Sequence, residues 1–407
     1  MNTSFFIARR YFRSKKKKNF INIISNISMI GVAVGTMSLV IVLSVFNGLE
    51  DLIRSLYSSF DPEIKITATT GKSFEIDDAF LEKISTIEGV EIVTEVIEDN
   101  AYVRYRDSEL IVKVKGVGDN FIDQERMDET IVHGELKLKE DGVNYALLGR
   151  GVQYALGISP NNDFYTLQLF YPKNLRPGAL NPSSLYNRKN ILPGAIFAIE
   201  KQYDESYIIV PLDFAKELMD YENKRTSLEI KTAPGYDITR VQANIKGVLG
   251  ENFQVLNSDE QHSGLLRAIK IEKLFVFLTF SFILAVASFN IFFSLTMLAI
   301  DKKKDIAILY SMGATDKLIK NIFLKEGAII AFSGAISGLL LGLLICWLQE
   351  TFGLVSMGMQ TSILDSYPVK MEFADFIYTG ISIILITLLA SYRPAIIATR
   401  SKIKDNL

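Results

Sequence analysis

Four stretches of this 407-residue chain carry no charge: residues 19–49, 274–300, 327–349 and 376–392. A hydrocarbon core about 30 Å thick needs ~20 apolar helical residues, and a Lys or Asp at its centre costs roughly 2.5–3.5 kcal/mol on insertion scales. Four such runs in one chain are a membrane pattern. They predict transmembrane helices over 21–46, 274–300, 327–349 and 376–392. The fourth run is the shortest.

Lys and Arg in the short flanking segments set the orientation. Residues 1–20 hold seven basic residues and no acid, and 302–325 hold six lysines. The loop at 350–375 has only Lys370 against four acids, while the tail 393–407 is basic again. The termini and the 301–326 segment are therefore expected in the cytoplasm of a bacterial cell. Residues 47–272 and 350–375 are expected outside, with the chain in the inner membrane. The near-zero net charge hides a partition: 47–272 carry a net of −12 and the remainder +10. The basic residues are juxtamembrane, where they suit anionic lipid and topology; nothing calls for nucleic acid. The sole cysteine, Cys346, lies in the third run, so no intrachain disulfide supports the outer domain. The N-terminus lacks a small-residue cleavage site after its apolar run and reads as an uncleaved first helix.

The outer segment reads as α+β. "NGLEDLIRSLYSSF" (47–60) has one apolar helical face and continues the first span as a stalk. "EIKITATT", "DDAFLEKISTI" and "VEIVTEVIEDNAYVRYRDSELIVKVKGVG" give strand, helix and paired strands. "TSLEIKTA", "DITRVQANIKGVLG" and "FQVLN" repeat the order late in the segment. Two strand–helix–strand units suggest a ferredoxin-like sheet assembled from both ends of the segment. Between them, at about 130–210, five of the ten prolines gather. An inserted, mostly-β subdomain with a long loop at 171–194 is expected there, either simply mobile or used as a docking hook.

Several apparent chemical motifs fail. "TTGKSF" has Ile66 where a phosphate loop needs glycine, and "GVG" at 116–118 is followed by Phe121 instead of a third glycine. Two histidines and no outer cysteine make a zinc site improbable. No catalytic, cofactor-binding or metal residue is assigned. No Asp, Glu, Lys, Arg or His lies inside a span, against an ion or proton pathway. Gly31 and Gly35 in the first span, and Gly334, Gly338 and Gly342 in the third, are spaced for close helix packing, within the chain or between subunits.

The segment "KKKDIAILYSMGATDKLIKNIFLKEG" joins the second and third runs. Ile306, Leu309 and Tyr310 share a face of one short helix; Gly313 suits its C-cap and Thr315 the N-cap of the next. The pattern fits a force-receiving element, and equally a helix lying flat on lipid.

This segment resembles the coupling segment of FtsX/MacB-type ABC permeases. "YRPAIIATR" at 392–400 resembles their C-terminal Tyr–Pro–Ala segment, with Arg393 splitting the Tyr and Pro. The N-terminal "RRYFRSKKKKNFINIISNISMIGVAVGTMSLVIVLSVFNGLE" looks like the lipoprotein-releasing, LolC/LolE-like branch. The topology fits along the whole chain, but the specific motifs lie at its ends. The resemblance implies a permease driven by a separate cytoplasmic ATPase dimer, which alone binds ATP and Mg. That ATPase would push on Asp305, Ile306, Leu309, Tyr310 and Gly313. A second permease, identical or related, would enclose a cavity lined by Val40, Ser44, Asn47 and Gly48 at the exit of the first helix. The cargo would be a lipoprotein handed to a periplasmic carrier, with Tyr171, Pro172, Pro177 and Pro182 marking the candidate carrier-docking loop. Two alternatives stand beside this reading: a MacB-type exporter or FtsX-type signalling permease acting through an adaptor or hydrolase, and a membrane-anchored sensor with no ATPase.

Overall fold

The computed structural model describes residues 3–13, 20–159, 165–173, 185–356 and 366–400. The chain divides into two units, Met1–Leu52 with Leu266–Leu407 and Ile53–Leu265, with the boundaries inside two long helices.

The first unit is helical. α1 (Thr3–Arg13) precedes α2 (Phe20–Ser58), and both lie ahead of all the strands. α3 (Asp78–Ser85), α4 (Arg150–Leu156), α5 (Lys201–Asp204), α6 (Leu212–Met219), α7 (Ile238–Leu249) and α8 (Ser258–Gln261) belong to the second unit. α9 (Ser263–Asp301), α10 (Lys303–Ser311), α11 (Asp316–Phe352) and α12 (Phe373–Arg400) complete the bundle. Among the described residues, α2, α9, α11 and α12 are long and apolar enough to cross a membrane. The membrane pattern read from charge therefore stands.

Packing in the bundle is set by small residues. A Cβ on Gly334 or Gly338 would collide with the carbonyl oxygens of Met29 or Ala33, so α11 lies backbone-close to α2. Gly342 faces Val40, while Gly31 and Gly35 face Ala287 and Leu284 of α9. The glycine rows thus serve contacts within the chain. Without a solvent-driven hydrophobic effect in lipid, such close approach is what holds helices together. Around it Val32, Leu284, Ile291, Leu295, Ile330, Ala335 and Ile383 form the mid-bundle core.

The second unit is built on β1 (Ile64–Ala68), β2 (Phe74–Glu75), β3 (Val90–Tyr105), β4 (Ser108–Val117), β5 (Ile131–His133), β6 (Lys139–Glu140) and β7 (Val143–Gly149). β8 (Leu167–Pro172), β9 (Tyr186–Phe197), β10 (Tyr207–Pro211), β11 (Lys224–Arg225), β12 (Ser227–Thr232) and β13 (Phe253–Asn257) follow. The main sheet runs β13-β1-β12-β3-β4-β10-β7-β9-β5, with β6 on β7 and β8 bridging β3 and β9. β1–α3–β3 straddles β12, and β12–α7–β13 straddles β1. One core, around Ile64, Ile66, Leu228, Ile230, Val241 and Ile245, seats these two helices.

The expected insertion at 130–210 does not make a sheet of its own. β10 pairs in parallel with β4 and carries β7, β9 and β5 onward in the same sheet. Its "YIIVP" is buried throughout, the continuous apolar run expected of a strand covered on both faces. Leu148, Ile208 and Val210 enter one core, while Leu147 and Ile209 enter another on the opposite face.

Candidate functional site

The helix turn at 311–316 is fully specified by its sequence. Gly313 has φ +89°, a conformation that side chains disfavour. Its N–H bonds the Tyr310 carbonyl at 3.0 Å, and the Ala314 N–H bonds the Leu309 carbonyl at 3.0 Å. These are the two bonds of a Schellman stop. The Thr315 hydroxyl then accepts the Leu318 N–H at 3.3 Å and starts α11. α10 therefore joins α11 through a stiff corner with two caps.

α10 is seated in the bundle. Ile306 is only 1% exposed and packs with Ala8 of α1, Leu298 and Ala299 of α9, Ile319, Ile322 and Phe323 of α11, and Ala395 and Ala398 of α12. The expectation that Ile306 would reach a partner is corrected here: its face of α10 turns inward. Leu309 and Tyr310 are partly buried against the same cluster. The Tyr310 hydroxyl bonds the Asp316 carboxylate at 2.8 Å, and burial with that bond pushes its pKa up to about 12. The outward residues are Ile308 and Met312, 57% and 70% exposed. Asp305 sits 3.7 Å from Lys302 on the rim of an open groove of about 380 Å³ between α10 and α1. Phe6, Arg10, Tyr11, Ile308 and Met312 line it.

α1 is the element that sequence reasoning missed. Its inward residues are small, Ser4 and Ala8, and give little apolar signal. Lys325 fixes it by donating to the Ser4 hydroxyl at 2.7 Å.

At the other end of the bundle, Val40, Ser44 and Asn47 are each 3% exposed and lie within the chain's own packing. The expected cavity wall is corrected accordingly. Val40 meets Gly342, and the Ser44 carbonyl accepts the Lys370 N–H at 2.9 Å. A Cβ on Gly48 would strike the Pro368 carbonyl. The exposed stripe of α2 instead includes Ile23, Ile27, Ile30 and Val34.

In the second unit, β8 and β9 pair antiparallel from Leu167↔Ile191 to Pro172↔Tyr186. The flanks of the expected loop are thus a β-hairpin. Pro177 and Pro182 lie outside the described residues, while Tyr171 and Pro172 end β8. The Tyr171 hydroxyl donates to Asp99 at 2.9 Å, so this side chain is tied down. Beside it Tyr102, Ile111, Phe170, Pro172 and Tyr186 line a groove of about 510 Å³, with Ile111 72% exposed. Alternation on β3, β4 and β8 puts Tyr102, Ile111 and Phe170 on one face. The period-two alternation of the sequence carries this face, while the pairing of β8 with β3 is long-range. Among the described residues no group of His, Cys, Asp and Glu could hold a metal ion.

Comparison with known proteins agrees with this architecture. Residues 277–403 match the FtsX-like permease C-terminal family, and residues 25–169 match the MacB-like periplasmic core domain. The chain is 25% identical to the lipoprotein-releasing system transmembrane protein LolE of Haemophilus influenzae, over 97% of this chain and 96% of that protein. It is 25% identical, with the same coverage of both chains, to the lipoprotein-releasing system transmembrane protein LolC of Buchnera aphidicola. The crystal structure of the periplasmic region of MacB from Actinobacillus actinomycetemcomitans is 14% identical, covers 51% of this chain and 94% of that one, and gives a TM-score of 0.36. Over nearly its whole length the chain is thus similar to lipoprotein-releasing system transmembrane proteins.

Proposed function

We propose that this chain is the permease subunit of an ABC transporter that lifts lipoproteins from the outer leaflet of the inner membrane and passes them to a periplasmic carrier. Both termini, α1 and α10 lie in the cytoplasm, and the sheet domain lies in the periplasm. ATP and Mg are bound by a partner ATPase dimer. A second permease, identical or related, completes the cargo cavity.

The observation that carries this reading is the seating of α10, in a chain alike to lipoprotein-releasing permeases from end to end. One face of α10 is locked into a core shared by α1, α9, α11 and α12, and the other presents Ile308 and Met312 outward. A push on those two residues is resisted by packed side chains, not absorbed by a loop, so it must displace the spans. α2 and α9, 39 residues each, run as single helices through the unit boundaries and supply the route for mechanotransmission. The Tyr102–Phe170–Tyr186 groove at the foot of the β8–β9 hairpin is the seat for the carrier. Its aromatic content is that of an interface core.

The test is Ile308→Asp with Met312→Asp in the full-length chain, followed by co-purification and a lipoprotein release assay on spheroplasts. The double variant should insert normally, lose the ATPase and stop release. Wild-type recovery of the ATPase would overturn the reading of α10. Normal ATPase binding combined with no lipoprotein release by the wild type would turn the assignment to an exporter or signalling permease.

A further inference from the structure

α2, α9 and α12 meet in a buried polar knot at the end of the bundle away from α10. Asn47 of α2 uses both ends of its amide: Nδ2 donates to the Asp375 carboxylate at 2.7 Å, and Oδ1 accepts from the Lys273 ammonium. Lys273 and Asp375 also pair directly at 3.3 Å, with Glu372 at 3.8 Å from the same ammonium. Nδ2 reaches the Lys370 carbonyl at 3.3 Å, and Lys370 pairs through its own ammonium with Asp51 of α2. Asp375 and Asn47 are both buried.

The position matters as much as the bonding. Lys273 is the last charge before the uncharged run 274–300, and Asp375 the last before 376–392. These charges therefore sit where α9 and α12 enter the membrane, at the height where α2 leaves it. Asp375 is buried and Lys273 is largely covered, so either ion alone is costly to hold there. Together, with the amide between them, each ion has a partner, and separating the helices would leave both uncompensated.

We infer that the Asn47–Lys273–Asp375 knot is a clamp that holds α2, α9 and α12 together at the membrane exit, so that motion begun at α10 reaches the stalks without slippage between helices. Its use in transport rests on the function proposed above; the clamp itself does not. Asparagine suits this place because its amide offers a donor at one end and an acceptor at the other, and can turn end for end. A charge exchange across it is therefore tolerated, whereas an aspartate at 47 can only accept.

The experiment uses the full-length chain in nanodiscs, with spin labels on exposed Ala268→Cys of α9 and Ala374→Cys of α12; the native Cys346 is buried. The parent should give a single narrow distance distribution. Lys273→Met and Asn47→Leu should broaden it. The exchange Lys273→Glu with Asp375→Lys should restore the narrow distribution with Asn47 present and fail to do so with Asn47→Asp. With the co-purified ATPase, the single variants should keep hydrolysing ATP while lipoprotein released per ATP falls. Narrow distributions in both single variants would overturn the clamp, as would an exchange that rescues equally well with Asn47→Asp. Broadened distances with no ATPase or no lipoprotein release even in the parent would leave the clamp standing and remove the transport reading instead.

Discussion

Gly338 of α11 lies against the carbonyl oxygen of Ala33 in α2, so close that a methyl group could not stand between them. This contact makes the third predicted span a partner of the first within one chain. Gly338→Val should force the helices apart and cost roughly 1–3 kcal/mol or more, the usual scale of overpacking. Thermal unfolding in detergent should show a lower midpoint. Gly380 of α12 has open space around its Cβ position. Gly380→Ala should leave the midpoint unchanged or raise it, since alanine favours a helix by up to about 1 kcal/mol.

The two faces of α10 predict opposite phenotypes. Ile306→Asp places a charge in the shared core and should lower stability by several kcal/mol, because a buried unpaired carboxylate has no compensating partner. Ile308→Asp should leave the melting temperature within error and weaken ATPase binding alone. A stability loss for Ile308→Asp as large as that for Ile306→Asp would contradict the inside–outside division of this helix.

Glu229 predicts how the sheet domain responds to acid. It is fully buried between Lys115, at 2.8 Å, and Arg126. Burial alone would raise its pKa, but Arg126 and Lys115 outweigh this and hold it at about 2, below the ordinary 4.5. A carboxylate depressed in the folded state stabilises fully above its unfolded value and loses that contribution as pH falls through its folded one. Strand signal in circular dichroism should therefore weaken as pH drops from about 4.5 toward 2. Glu229→Gln should flatten that dependence and destabilise the domain at neutral pH by about 3–5 kcal/mol, by removing the carboxylate that the two cations share.

The hairpin allows a sharper deletion than one running through Asn187. That residue donates to the Leu218 carbonyl at 3.0 Å and to Asp220 at 2.9 Å, so removing it would damage the strand's support. Replacing only 174–184 with a short Gly-Ser linker keeps β8 and β9 in register. Crosslinking of the carrier to the sheet domain should then fall sharply with ATPase activity retained, as it should for Tyr102→Asp or Phe170→Asp. Undiminished crosslinking in all three would remove the hairpin and its groove as the docking site.

How much of this was readable in advance depended on where each partner lies in the chain. The spans follow from the absence of charge, and the corner after α10 follows from Gly313 and Thr315, because both signals are local. Ile306, Leu309 and Tyr310 share one face and pack on one cluster, but spacing does not say whether such a face meets a partner or the same chain. α1 stayed hidden because Ser4 and Ala8 pack by being small, while its arginines read as topology signals. Asn47 was visible as a polar residue at a helix exit, yet Lys273 and Asp375 lie 226 and 328 positions away. No periodicity links residues so far apart. In a membrane helix nearly every side is apolar, so pattern cannot separate the side facing lipid or cargo from the side facing a neighbouring helix.

That ambiguity decides where cargo should be sought. Val40 and Ser44 face inward, whereas Val34 is half exposed and Ser38, Ile41 and Val45 follow it along the helix at intervals of three and four. If acyl chains pass beside α2, they meet this second stripe. A photocrosslinker at 38, 41 or 45 should capture lipoprotein, and one at 40 should capture α11 of the same chain through Gly342. Ile41→Glu should make lipoproteins accumulate in the inner membrane with the complex still assembled. A charge there costs a few kcal/mol against an apolar cargo, scaled from insertion values. Val40→Glu should instead destabilise the chain, since it puts that charge between α2 and α11. Capture of lipoprotein from 40 and not from 41 or 45 would mean that cargo runs between α2 and α11, and that the glycine contact opens during transport.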